Sequence, residues 1–402
     1  MTKAISIRMY NVGLGDSFLL RFPAADRERK VLIDCGVHAS GPGPHKMIEV
    51  VDQIIQDVSD GGTPAIDVVI ATHRHRDHVL GFESEKWRDV EVGEVWMPWT
   101  EDPKDPKARK IRDTQSKKAQ AIAMALRLAG ADQHILDIAE NSLVNAKAMA
   151  TLHNGFAGKP ARKFLPPKLR DMQSFKPDLL DGVIVHAMGP SRDPEVIRDM
   201  NPPEGGAFKL RGSAAGSGGD GSMAPFDDRY ELSGALLDQW LQESSMSKRD
   251  LRSIEKAAEE NPLALVVQLD KAVNGTSLML MFEMGNAHLL FPGDAQWGTW
   301  QNALADDTFH SLLEKTTFYK VGHHGSHNAT PKDFVETILE KNNFVGMCCT
   351  RPTTKFKKIP LTSLMKALNA KSGNRIARSD DLAKVKGFTR DADIFTETQI
   401  AV

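Results

Sequence analysis

In the stretch Thr72-His73-Arg74-His75-Arg76-Asp77-His78, three histidines and an aspartate fall within six residues. Neutral imidazole nitrogens and carboxylate oxygens are the donors that Zn²⁺, Mn²⁺ or Fe takes in open catalytic sites. The apolar run Ile66 to Ala71 precedes the cluster and reads as a buried strand, so the histidines sit where the strand ends and the chain turns. Alternation puts His73 and His75 on one face, while Asp77 and His78 open a helix. One short loop then offers two ligand pairs to two adjacent cations. A second concentration, Gly322-His323-His324-Gly325, also follows an apolar strand-like run, and its glycines allow close backbone approach. Asp294, in Pro292-Gly293-Asp294, closes a third such run. A carboxylate has two oxygens, so it can bridge two cations and lower their mutual repulsion. A histidine-rich polar loop and a hydrogen-bonded histidine pair are the bland alternatives. The shared position at strand ends favours ligation.

The composition bounds what these residues can serve. The chain has 402 residues, 41% hydrophobic and 26% charged, with a net charge of -2. That is ordinary globular composition, compatible with two or three domains or with one large sandwich carrying insertions. Near-neutral charge argues against a general nucleic-acid-binding surface, so any basic site is local. No apolar run approaches the length of a membrane span, and the start lacks the pattern of a secretion signal. Three cysteines, Cys35, Cys348 and Cys349, do not make a disulfide framework. A cytoplasmic protein with no membrane contact is the expectation.

The elements that must position the ligands follow from periodicity. Ile5 to Val12, Ser17 to Phe22 and Val31 to Ile33 read as strands, the first two joined by Gly13-Leu14-Gly15-Asp16. Residues Met47 to Val58 show helical spacing, and a strand lies around Glu94 to Met97. Residues 101–180 read as a helical insertion, opened by a basic stretch from Lys107 to Arg112 that is best taken as a solvated helix face. Gly182 to Met188 is a returning strand. Residues 201–260 combine a flexible Gly/Ser-rich loop with a helical insertion, its helices at Tyr230 to Gln242 and Ser247 to Ala258. Leu263 to Leu269, Ser277 to Phe282, Ala287 to Phe291, Thr316 to Val321 and Val345 to Cys349 read as strands. Pro331 to Leu339 and Leu361 to Leu368 read as helices.

Taken together these motifs resemble the metallo-β-lactamase fold hydrolases, and within them the competence-protein branch, the hydrolase domain of bacterial DNA-uptake channels. The resemblance rests on Gly15-Asp16-Ser17, on Asp34 closing Leu32-Ile33-Asp34-Cys35-Gly36, on Thr72 to His78, on Gly293-Asp294, and on His323 to Ser326. It covers residues 5–90 and 261–330, about two fifths of the chain. It implies an α/β fold, a four-layer αββα sandwich with helical insertions, formed by residues 1–402 as a single domain. By this analogy His73 and His75 hold one metal, Asp77 and His78 the other, Asp294 bridges them, and one or both of His323 and His324 complete the set. Asp16 and Asp34 would orient the ligand loop, a role that ligating histidines generally require. The chain departs from the branch at two points. A further histidine before a proline is replaced by Ile359-Pro360, and the middle-region histidine has only His186 as a candidate. Lys355, Lys357 and Lys358 lie near the first of these and would either hold a phosphate or be solvated.

The function expected is metal-dependent hydrolysis with one or two ions, Zn²⁺ or else Mn²⁺ or Fe, most readily of a phosphodiester in a small molecule, nucleotide or nucleic acid. Asp77 would orient the attacking hydroxide, and Ser326 and His327 would donate hydrogen bonds to a phosphoryl oxygen or leaving group. A lactone, thioester or amide hydrolase on the same site is the nearest alternative. A metal-stabilised binding or regulatory module with little turnover is the third.

Overall fold

The computed structural model describes residues 3–402 apart from 144, 170–171, 204, 209–247, 329, 354–355, 357 and 392. The readings at Tyr230 to Gln242, at most of the Gly/Ser-rich loop, and at Lys355 and Lys357 lie outside the described residues.

The described chain is mixed α/β. Its strands are β1 (Ala4–Tyr10), β2 (Ser17–Phe22), β3 (Arg29–Cys35), β4 (Ala65–Ile70), β5 (Glu91–Pro98), β6 (Ala161–Leu165), β7 (Ser174–Phe175) and β8 (Ile184–Gly189). They continue with β9 (Met279–Met284), β10 (Ala287–Phe291), β11 (Phe318–Lys320), β12 (Val345–Cys348), β13 (Ile376–Arg378), β14 (Phe388–Asp391) and β15 (Phe395–Ala401). Two mixed sheets result, ordered β14-β15-β1-β2-β3-β4-β5-β6 and β13-β12-β11-β10-β9-β8-β7. In the first, β3 to β6 run parallel; in the second, β10 to β13 do.

Alternation along each strand divides the core. Phe18 and Leu20 of β2 face Phe282 of β9 and Phe291 of β10, with the Phe18 and Phe291 rings 5.6 Å apart. Leu19, between them in sequence, faces the other way, toward Val50, Val51, Ile54 and Val58 of α1 (Met47–Ser59). The short α2 (Arg76–Val79) follows β4, and α3 (Pro106–Leu128), α4 (Gln133–Asn141) and α5 (Ala146–Ala150) lie between β5 and β6. After α6 (Pro194–Arg198) come α7 (Lys248–Glu260) and α8 (Pro262–Asn274). The outer side of the second sheet packs Met281, Leu290 and Tyr319 against Trp300 of α9 (Trp297–Ala305), Leu313 of α10 (Asp307–Glu314), and Leu364 and Leu368 of α11 (Thr362–Ser372).

Two expectations are corrected. Leu263 to Leu269 is the body of α8, not a strand: Pro262 opens the helix and the Asn261 side chain accepts the Ala264 N–H at 3.2 Å. The helix is buried on almost every side against α3, α4 and α7, and a run apolar all round carries no period to tell helix from strand. The first insertion is not wholly helical, because β6 adds an edge strand to the first sheet. The tail supplies β15, which pairs with β1 from Ala4↔Ala401 to Tyr10↔Phe395. Within the basic stretch, Lys107, Arg109 and Lys110 are exposed, while Arg112 turns in toward the carbonyls of Thr100 and Asp102.

Candidate metal centre

The candidate ligands sit just past the C-terminal ends of strands in both sheets: the 72–78 loop after β4, Asp294 after β10, and His323 and His324 after β11. Backbone and hydroxyl bonds hold these loops together. Leu278 N–H donates to Thr72 O (2.8 Å), Asp294 N–H to Ser277 Oγ (2.9 Å), and His323 N–H to Gly293 O (3.3 Å). Gly293 has a φ of +55°, and a Cβ there would lie 2.3 Å from Ser277 Oγ, so this turn accepts only glycine.

All seven candidate ligands are buried, none more than 5% exposed. His324 Nε2 lies 3.0 Å from Asp77 Oδ2, and His78 Nε2 lies 3.2 Å from Asp294 Oδ2 and 3.9 Å from Asp77 Oδ2. His73 Nε2 and His75 Nδ1 are 3.0 Å apart, and His323 Nε2 is 3.7 Å from Asp294 Oδ2. Tetrahedral donors about 2.05 Å from a common ion are about 3.3 Å from one another. The observed spans bracket that value. The group Asp77, His78, Asp294 and His324, whose donor atoms all lie within 4.8 Å of one another, could hold a metal ion. Oδ1 of Asp77 and Oδ1 of Asp294 are buried with no hydrogen-bond partner among the described residues, which suits cation ligation.

Three of the rings that turn one nitrogen inward have the other held. His73 Nδ1 meets Thr72 Oγ1 (3.1 Å) and Ser277 Oγ (3.3 Å), His78 Nδ1 meets Asp34 Oδ2 (2.7 Å), and His324 Nδ1 meets Cys349 O (3.0 Å). Asp34 also accepts the Thr72 N–H and Thr72 hydroxyl, both at 2.7 Å. Asp16 pairs with Lys320 and lies 3.6 Å from His78 Nδ1. Asp34, His323 and His324 all adopt left-handed φ, at 56°, 44° and 55°. Each such residue costs about 1–3 kcal/mol, which the surrounding contacts must offset, and such strain concentrates at functional sites.

The electrostatics split the imidazoles into two groups. Burial lowers His73 well below its ordinary value, helped by neighbouring His78 and His75; it lowers His75 to about 3 and His323 to about 4. These rings are neutral, the form that donates to a metal. Burial opposes charge on His78 and His324 too, but it is outweighed: Asp294, Asp34 and Asp77 raise the first well above its ordinary value, and the Asp77 bond and Asp16 raise the second. Asp77 and Asp294 are in turn held well below the usual carboxylate range, against burial, chiefly by His78, with His324 adding to the first and His323 to the second. The carboxylates thus demand positive charge at the point where a cation would supply it.

The Ser326 hydroxyl donates to Asn328 Oδ1 (3.0 Å), whose amide donates to Gln296 Oε1 (3.0 Å). His327 is 8% exposed. His186, in β8, contacts Ser174 and Glu283 rather than the cluster. Ile359 lines the cavity at the cluster, together with Leu14, Ile138 and Phe356, so an apolar wall stands beside His324. That cavity holds about 10 Å³, one water's worth. A larger one, about 280 Å³, lies against α3 and the Leu269 and Ala272 face of α8 and touches none of the candidate ligands.

Sequence reasoning missed the residues that brace the loop from outside. Arg74 makes a bidentate pair with Glu101 (2.9 and 2.6 Å), both buried. Asn141 accepts the Asp77 N–H (3.2 Å), and Asn145 donates to Arg74 O (2.7 Å). Asp270 and Asn274 reach the site from α8, the helix whose apolar run hid them. No described helix is long and apolar enough to cross a membrane, and the three cysteines are free and buried. No family model matches the chain, and neither does any curated protein.

Proposed function

We propose that the chain is a metal-dependent hydrolase of the metallo-β-lactamase type, with its two facing sheets and flanking helices forming the four-layer αββα sandwich of that group. The observation that carries this reading is the convergence of His73, His75, Asp77 and His78 with Asp294, His323 and His324, residues more than two hundred positions apart in sequence, at ligand spacing. The donor set of imidazole and carboxylate suits Zn²⁺, with Mn²⁺ or Fe as alternatives. His73, His75 and His323 would serve one ion, Asp77, His78 and His324 a second, and Asp294 both. A divalent cation bound there brings the pKa of water toward neutrality and stabilises charge on a phosphoryl oxygen. Asp77, with one oxygen on His324 and the other without a hydrogen bond among the described residues, would orient the attacking water. Ile359, Phe356 and Ile138 keep bulk water away from it.

The substrate bond is taken to be a phosphodiester. Metal content by elemental analysis, paired with turnover of bis(p-nitrophenyl) phosphate, tests this directly. One or two equivalents of Zn²⁺ with turnover, both lost in His75→Ala and Asp294→Ala, is the expected result. Metal-dependent turnover of a lactone, thioester or amide but not of the diester would redirect the reading to that bond. The one-water cavity favours a second reading, a metal-stabilised module with little turnover. Bound metal without hydrolysis of any of these substrates would select it.

A further inference from the structure

His75 has an outer nitrogen whose partners come from α8 and the end of α4. Its Nδ1 faces His73 Nε2, so its Nε2 points away from the shared centre. There the Ser142 hydroxyl lies 3.1 Å away and Asp270 Oδ1 3.8 Å away. Ser142 directly follows α4; Asp270 belongs to α8; they are 4% and 3% exposed. The second oxygen of Asp270 accepts from Asn274 Nδ2 at 3.1 Å, one helical turn on, which fixes the carboxylate in place. Asn274 Nδ2 also approaches His323 Nε2, at 3.4 Å. The neighbouring Lys271 donates its ammonium to Asn201 Oδ1 at 2.7 Å.

We propose that Ser142 and Asp270 are positioning residues for the cation that His73 and His75 would hold. The Ser142 hydroxyl takes the Nε2–H of His75, with Asp270 Oδ1 behind it at 3.8 Å, and so fixes the tautomer that leaves Nδ1 as the donor. The proposal rests on the metal-centre reading above. Which imidazole nitrogen carries the proton is set by the hydrogen bond the other makes, and a carboxylate behind that nitrogen raises the basicity of the ligating one. His73, His78 and His324 obtain the same service from the β-strand loops, through Thr72 and Ser277, Asp34, and Cys349 O. Among these four rings His75 obtains it from α8 and the end of α4. The segment that carries Ser142 is itself fastened to the motif loop, through Asn141 to the Asp77 N–H and Asn145 to Arg74 O. The end of α4 and α8 are therefore a working wall of the centre as well as its cover.

The experiment is a Zn²⁺ titration against a chromophoric chelator, on wild type, Ser142→Ala, Asp270→Asn and Ser142→Thr, with His73→Ala marking which affinity belongs to the His73/His75 site. Ser142→Ala and Asp270→Asn should weaken that affinity about 10–100-fold and leave the other site unchanged. Ser142→Thr, which keeps the hydroxyl, should restore it. In ¹⁵N spectra of the Zn²⁺-loaded protein, the wild-type His75 ring should be protonated at Nε2, and both disabling variants should lose that single tautomer. Should Asp270→Asn fail to fold, Ser142→Ala alone decides. Unchanged affinity in the variants, or equal loss at both sites, overturns the positioning role while leaving the metal centre standing. Wild type that binds no Zn²⁺ overturns the metal centre and this role with it.

Discussion

At the scale of single residues, Arg74 illustrates how much of the motif loop is held by groups that never face the centre. Its guanidinium lies between two candidate ligands in sequence yet turns outward to Glu101, and both members of the pair are buried. Burial alone would raise the Glu101 carboxyl, but the Arg74 charge and its hydrogen bonds hold it below the usual glutamate range. A carboxyl whose folded value is depressed contributes stability that is complete above its unfolded value, about 4.3, and is lost as pH falls through the folded value. Glu101→Gln leaves a buried guanidinium uncompensated and should cost about 3–5 kcal/mol in denaturant unfolding at neutral pH. The gap between variant and wild type should narrow in acid, below about pH 4. An equal gap at neutral and acid pH would mean that the pair is not what steadies the loop.

At the scale of elements, the ligand loop is wedged against two turns that the sequence marks only by glycine. A Cβ on Gly36 would lie 2.5 Å from Arg76 O, from Asp77 C and from His78 N, all backbone atoms that cannot rotate away. Asp16 N–H donates to Asp77 O (2.9 Å) and Gly36 N–H to Asp16 O (3.0 Å), so the three segments form one clasp. Gly36→Ala should therefore cost about 1–3 kcal/mol and push Asp77 and His78 off their shared spacing. The measurement is metal content per chain beside the thermal midpoint; a variant that unfolds earlier yet retains full metal would refute the geometric argument. What could be read from sequence here was local. Strand ends announce themselves through apolar runs followed by polar turns, so β4, β10 and β11 and the candidate ligands after them are within reach of the sequence. Asp270 was not, because α8 is apolar on nearly every face and its run fits a buried strand as well as a helix. Glu101, Asn141 and Ser142 carry no periodic signal at all; only the tertiary path of the insertion brings them to the loop.

At the scale of the whole molecule, the candidate ligands divide between the two sheets, with four after β4 and three after β10 and β11. The sheets already share a core in which Phe18, Phe22, Phe282 and Phe291 interlock, but at the ligand edge the contents are polar: Asp16, Asp34, Asp77, Asp270 and Asp294 are all buried, with Lys320 among them on Asp16 and near Asp294. Apolar burial holds the sheets together at the centre, whereas at this edge charge must be balanced for them to stay closed. A cation bound by both sheets supplies that balance and binds the folded chain in preference to the unfolded one, whose ligands are scattered. The stabilisation then follows mass action, about 2.7 kcal/mol when free metal is a hundredfold above its dissociation constant. Calorimetry of chelator-stripped protein titrated with Zn²⁺ should show a midpoint that climbs with metal concentration. Asp294→Ala, which removes the carboxylate facing ligands from both sheets, should flatten that climb. His186→Ala, which alters a buried histidine remote from the cluster, should shift the midpoint but preserve the climb. If the wild-type midpoint ignores Zn²⁺, no cation joins the sheets, and the polar edge must be closed by hydrogen bonds and protonation alone.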